Sequence, residues 1–305
     1  MRDLIIIGGG PGGVSAGIYA ARKKIKTLLI TDGFGGQSMI SAEIGNWIGD
    51  QSISGYDLAK KMEEHLRAQE EIEIVDDDGV CVVQKIDGGF SVVTKNGKIF
   101  ETKYLLITSG SHRRKLDIPG EHEFDGKGVV YCSTCDAPIF KNKTVAVIGG
   151  GNSALESVID LLPYASKIYL LVRSEIIRGD SVTQDKVRQH PNVEVVLNAT
   201  PQEVIGDKFV TGLRYKDMKG GEIKDLALEG VFVEIGLIPN SDFIKDIVAR
   251  DDYGAIVVDS KTQETSCAGI WAAGDVTDVL YKQNNISAGD AIKAVLNISD
   301  CLKKQ

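Results

Sequence analysis

The chain has 305 residues, 43% hydrophobic and 26% charged, which suits a globular protein with room for two ordinary domains. A net charge of −8 and a pI near 5.2 argue against nucleic acid or an anionic membrane as the main partner. No apolar run approaches the ~20 residues of a spanning helix, and a strand begins within three residues of Met1, so neither a membrane anchor nor a signal peptide is expected and a cytoplasmic location follows.

An apolar strand over 4–7 runs into Gly8-Gly9-Gly10-Pro11-Gly12-Gly13; a helix is predicted from about 12 to 23 and a strand over 27–30. This is a βαβ start with glycines at its first turn. Leu58, Met62 and Leu66 recur four apart and predict an amphipathic helix over 56–68. Residues 72–100 read as a meander, with Asn96-Gly97 signalling a two-residue hairpin loop. A strand over 104–107 ends in Thr108-Ser109-Gly110, and Pro119-Gly120 marks a turn.

Cys132-Ser133-Thr134-Cys135-Asp136 follows, and then the opening unit repeats. Its parts are a strand over 145–148, the turn Gly149-Gly150-Gly151-Asn152-Ser153-Ala154, a helix over 152–162 and a strand over 167–171. Further strands are expected over 193–196, 210–215, 230–233 and 255–258, with a turn at Gly220-Gly221 and a last helix over 287–302. From residue 244 only about 60 residues remain, too few for a third domain, so the tail is expected to return and complete the first unit. The expected class is α/β: two Rossmann-like (three-layer ββα) dinucleotide-binding domains, the first discontinuous.

Each glycine turn follows an apolar strand and opens a helix. The glycines permit the tight turn, and the helix N-terminus offers unpaired N–H groups and positive dipole to a pyrophosphate. Such turns also occur without ligands; two in register point to two dinucleotides. The acidic ribose ligand expected about 20 residues on is not in its usual place at the first site. Thr31 closes that strand, and Asp32 is the substitute. The second strand ends in Val172-Arg173-Ser174, with Arg178 beyond. Cationic Arg173 leans toward a 2′-phosphate and NADPH, unless these arginines are simply solvated.

Two cysteines two residues apart can cycle between dithiol and disulfide. That chemistry needs a nucleophilic thiol and a nearby proton donor or acceptor. Asp136 can fill the second role, or can simply cap a helix. Zinc needs four ligands, whereas Cys267 and Cys301 lack partners at ligand spacing and His65, His112, His122 and His190 form no cluster. Cys81, Cys267 and Cys301 read as buried or incidental thiols.

With these residues the chain resembles the low-molecular-weight thioredoxin reductases and the similar flavoprotein subunit of alkyl hydroperoxide reductase, from Asp3 to about Leu302. The markers are both glycine turns, Gly35-Gly36-Gln37, Asn46-Trp47, the Cys132–Asp136 stretch, Gly236-Leu237-Ile238-Pro239-Asn240, Gly274-Asp275 and Lys282-Gln283. The resemblance implies an FAD domain over 1–115 and 244–305 and a pyridine-nucleotide domain over 116–243 carrying the cysteines. It implies that Gly10, Pro11, Gly12 and Gly13 hold the FAD pyrophosphate, that Gln37 and Asn46 approach the flavin, and that Asp275 binds the ribityl chain or phosphate. Gln283 would aim the last helix's N-terminus near the flavin carbonyl. Gly8, Asp32, Gly36, Gly110, Gly274 and Lys282 complete the FAD set; Gly149, Gly151, Asn152, Ser153, Ala154, Arg173 and Arg178 form the NADPH or NADH set.

By the same likeness, Cys135 meets the flavin, Cys132 attacks the partner's disulfide, and Asp136 moves the proton. Electrons pass from NADPH or NADH through FAD to thioredoxin or a thioredoxin-like protein. The resemblance also implies a homodimer, and a hinge rotation near 115–118 and 241–245. Members that use NADPH carry His-Arg-Arg where this chain has Val172-Arg173-Ser174, and the hydroperoxide reductase flavoprotein has Glu at the Val172 position and uses NADH. The donor therefore stays open, ferredoxin included, although the intact turn at 149–154 argues against ferredoxin. The extra thioredoxin-like domain of the hydroperoxide reductase flavoprotein has no counterpart here, which favours a separate partner. A flavin reductase without disulfide chemistry would lack the cysteine pair, and a non-catalytic sensor would need a disabled site.

Overall fold

Leu4 and Ile6 point to one side of the first strand, Arg2–Gly9, and Ile5 and Ile7 to the other, and all four are buried. A strand apolar on both faces belongs inside a sandwich, with a layer on each side. The computed structural model describes residues 1–41 and 43–304, which form two compact units. One comprises Met1–His112 and the chain from Ile238 onward; the other is Arg113–Leu237.

In the first unit, Ile72–Val75, Thr27–Phe34, Arg2–Gly9, Ile99–Ile107 and Ile270–Ala272 pair in that order, all parallel. The tail thus returns to the first unit and supplies a strand, Ile270 opposite Leu105. Leu4 and Ile6 pack against the helices Pro11–Arg22 and Asn284–Leu302 through Val14, Ala291, Ala294 and Ile298. Ile5 and Ile7 pack on the other side with Phe90, Val92, Ile244 and Ile256. Phe90 and Val92 belong to Gly89–Thr94, an antiparallel strand between Val80–Ile86 and the first half of Ile99–Ile107.

The second unit repeats this layering. Val193–Leu197, Lys167–Val172, Thr144–Ile148, Gly230–Val233 and Val129–Val130 form a parallel sheet in that order. Val145 and Val147 face the helix Asn152–Leu161 through Ala154, Leu155 and Val158. Ala146 and Ile148 face a three-stranded antiparallel layer, Ala199–Gly206, Val210–Asp217 and Ile223–Ala227, through Leu213 and Tyr215.

Four local expectations change. The 94–98 hairpin loop has three residues, not two: Thr94 N–H donates to Lys98 O, and Gly97 takes the left-handed conformation at φ 78°. Residues 255–258 form no strand, because Ile256 bridges Arg250 and Thr277 while Val258 bridges Thr265, so no single neighbour runs alongside. The last helix begins at Asn284, three residues earlier than expected, since its first two residues are asparagines. A helix over Ser181–Gln189, capped by Asp180, escaped prediction because Val187 is its one buried residue. Among the described residues, no helix is long and apolar enough to cross a membrane.

Candidate active site

In the first unit the glycine turn leaves a helix N-terminus bare. Gly10 caps Pro11–Arg22 with extended backbone and no side-chain cap. A Cβ on Gly13 would fall on the carbonyl oxygen of Gly8, so the helix can start this close to the strand only with glycine there. A Cβ on Gly10 would meet nothing nearer than the Cα of Gly36, at 4.0 Å, and Gly36 itself sits at φ 55°. Two stretches of uncovered backbone therefore face each other at the mouth of the turn, and uncapped amides there fit the diphosphate of a dinucleotide such as FAD.

The remaining first-unit candidates are each fixed by contacts of their own. Gln37 Nε2 donates to Ser111 O at 2.6 Å and to Ser111 Oγ at 3.1 Å. Asn46 Nδ2 donates to Gln283 Oε1 at 3.1 Å, and Asn285 Nδ2 donates to Asn46 O at 2.8 Å. Gly110, at φ 65°, accepts from Asn240 N–H at 2.9 Å. Gly274, at φ 77°, lies against Ser287, whose Oγ donates to Asp275 Oδ1 at 3.3 Å. Lys282 Nζ donates to Asp275 O at 3.3 Å and Thr277 O at 2.5 Å, so it staples the loop before the last helix. Burial lowers its pKa, while Asp275, Asp251 and Asp278 work the other way. The exposed carboxylate of Asp32 pairs with Lys95 Nζ at 2.7 Å, on the hairpin loop.

In the second unit Gly151 caps Asn152–Leu161 without a side-chain bond, and a Cβ on it would enter open space. Gly149 packs against the carbonyl of Glu234. Arg178 N–H donates to Gly150 O, and Asp180 N–H donates to Asn152 Oδ1, each at 2.7 Å, latching the segment before Ser181–Gln189 to the glycine turn. Ser153 is exposed on the first turn, and Ala154 is buried beneath it. Val172 is buried, whereas Arg173 and Arg178 are exposed and have no ion-pair partner among the described residues. Two uncommitted cations beside a bare helix N-terminus suit a phosphorylated ligand.

Cys132 and Cys135 are joined by a disulfide, their Cα atoms 5.4 Å apart. Cys132 caps the single turn Ser133–Asp136, and Asp136 N–H donates to Cys132 O at 3.0 Å. Burial pushes the Asp136 carboxyl up to about 6, against the opposing pull of Arg113. A carboxyl near neutrality beside a disulfide can both give and take a proton. Cys81 is exposed, Cys267 buried and Cys301 half-buried; none is bridged. No metal-binding cluster occurs among the described residues.

Sequence reasoning missed three residues that hold the redox turn: Ser157, Asp160 and Glu234. Ser133 Oγ donates to Asp160 Oδ2 at 2.9 Å, and Thr134 Oγ1 to the same oxygen at 3.3 Å. Ser157 Oγ lies 2.9 Å from both Ser133 Oγ and Glu234 Oε1. Burial raises the Glu234 carboxyl to about 7. One signal was available: Glu234 continues Gly230–Val233, a wholly buried strand, and a carboxyl there needs a partner inside.

The pyridine nucleotide-disulphide oxidoreductase family profile matches residues 2–293. The chain is 43% identical over 303 residues to the F subunit of alkyl hydroperoxide reductase from Pseudomonas putida, and 41% identical over 298 residues to that from Staphylococcus aureus. Each alignment covers 98% of this chain but 58% of the relative, so the chain spans little more than half the length of these relatives. Thioredoxin reductase from Streptococcus pyogenes superposes with a TM-score of 0.91 at 32% identity, covering 100% of this chain and 99% of that one. Thioredoxin reductase from Giardia duodenalis also superposes at 0.91, with 30% identity and 99% of each chain covered.

Proposed function

The chain belongs to the pyridine nucleotide-disulphide oxidoreductase family, and from that premise we propose that it is an FAD-dependent disulfide reductase serving thioredoxin or a thioredoxin-like protein. The observation that carries this reading is the Cys132–Cys135 disulfide beside a carboxyl that burial pushes up to about 6, in a chain with two bare glycine turns.

FAD would be held by Gly10, Pro11, Gly12, Gly13 and Gly36, with Gln37, Asn46, Asp275 and Gln283 around it, and would supply two-electron relay between a nicotinamide and the disulfide. The nucleotide donor would sit on the turn at 149–154, with Arg173 and Arg178 toward a 2′-phosphate; this favours NADPH over NADH. Two electrons and two protons convert the bridge to two thiols. The Cys132 thiolate then attacks one sulfur of the partner's disulfide, forming a mixed disulfide and expelling the partner's other sulfur as thiolate. Cys135 attacks Cys132 in turn, which re-forms the bridge and releases the partner fully reduced. Asp136 would take the proton from the attacking thiol and return it to the leaving sulfur. The active form would be a homodimer.

The identity to the F subunit of alkyl hydroperoxide reductase favours a second reading of the partner, a thioredoxin-like carrier that feeds a peroxidase. In both readings Cys132→Ser and Cys135→Ser each abolish NADPH-dependent reduction of a thioredoxin-type disulfide while leaving bound flavin unchanged. Retained turnover in either variant would refute the redox-pair assignment.

A further inference from the structure

Four side-chain oxygens run in a row behind the redox turn: Asp160 Oδ2, Ser133 Oγ, Ser157 Oγ and Glu234 Oε1, with every neighbouring pair 2.9 Å apart. Three links need three protons, and the two serine hydroxyls supply two. The third must come from a carboxyl at one end. Asp160 Oδ2 already receives Ser133 and Thr134, which suits a carboxylate. Glu234 stands at the other end, where burial and the charge of Asp160 favour the neutral acid, while Ser157, Arg113 and the Ser133 N–H favour the anion.

With Glu234 neutral, every link is made: Glu234 donates to Ser157, Ser157 to Ser133, and Ser133 to Asp160. With Glu234 ionised, the Ser157 hydroxyl must turn to the carboxylate, and the Ser157–Ser133 link loses its proton. We propose that Glu234 is a positioning residue for the Cys132–Cys135 couple, clamping the Ser133 hydroxyl through Ser157 as the neutral acid and giving up that hydroxyl link as the carboxylate. This rests on the disulfide-reductase reading and adds a proton-linked control to it.

The complete chain accompanies the closed bridge. Opening the bridge frees the turn between positions 132 and 135, so Glu234 holds its proton less tightly in the dithiol form. Reduction of the bridge takes up two electrons and two protons; where Glu234 releases one, net uptake falls from two toward one.

The test is the FAD-loaded protein equilibrated with oxidised and reduced dithiothreitol at a series of pH values around 7. The bridged fraction is read by alkylation and mass of the 132–135 peptide, and its pH dependence yields protons taken up per bridge reduced. The unsubstituted chain is expected to take up fewer protons than Glu234→Gln, by up to one. Ser157→Ala, which cuts the chain at its middle, should match Glu234→Gln. Identical uptake in all three proteins overturns the proposal and leaves the reductase reading intact. A bridge that dithiothreitol cannot open in any of them overturns both.

Discussion

Asn46 Nδ2 donates to Gln283 Oε1 at 3.1 Å, joining a loop near the start of the chain to the N-cap of its last helix. The two residues are 237 positions apart, and the pairing exists because Ile270–Ala272 returns to the sheet and delivers that helix to the first glycine turn. An exposed hydrogen bond of this kind contributes about 1 kcal/mol. Gln283→Ala should weaken FAD retention about fivefold, as flavin absorbance per chain after gel filtration, with little change in the melting temperature of the flavin-free protein.

Asp136 makes a prediction whose sign differs between stability and activity. Its folded pKa, about 6, lies above the ordinary 3.8, so the native state binds the extra proton. The stability this contributes is complete below 3.8 and is lost as pH rises through 6. Above that, the ionised, partly buried carboxylate costs about 2 kcal/mol after allowance for its exposure. Asp136→Asn should therefore raise the melting temperature at pH 8 but not at pH 3.5, while lowering disulfide reduction about a hundredfold. Parallel losses of stability and activity would count against proton transfer by Asp136.

Arg173 and Arg178 are exposed, without an ion-pair partner among the described residues, beside the turn at 149–154. Arg173→Ala should raise KM for NADPH about tenfold and leave KM for NADH within about twofold, the loss of one charge-assisted contact to phosphate. Equal effects on the two nucleotides would remove the 2′-phosphate role.

Legibility followed sequence distance. The glycine turns, the cysteine pair and the buried parallel strands are local patterns, each fixed by steric or periodic demands within about ten residues, and they were readable. The discontinuous first unit was readable too, from the tail's shortness. Ser157, Asp160 and Glu234 were not: each is unremarkable in its own segment, and they meet Ser133 only when helix Asn152–Leu161 packs beside strand Gly230–Val233. Residues 255–258 misled for the opposite reason. Ile256 is wholly inside the core while Val257 is exposed, and the backbone of the segment pairs with a different partner at each bridge.

The central claim is that nicotinamide electrons reach the sulfurs of Cys132 and Cys135. The most direct measurement adds one equivalent of NADPH or NADH anaerobically to the FAD-loaded protein, followed by alkylation and mass analysis of the 132–135 peptide. Two newly alkylated cysteines at those positions are predicted. A bleached flavin with the Cys132–Cys135 bridge still closed would contradict the account.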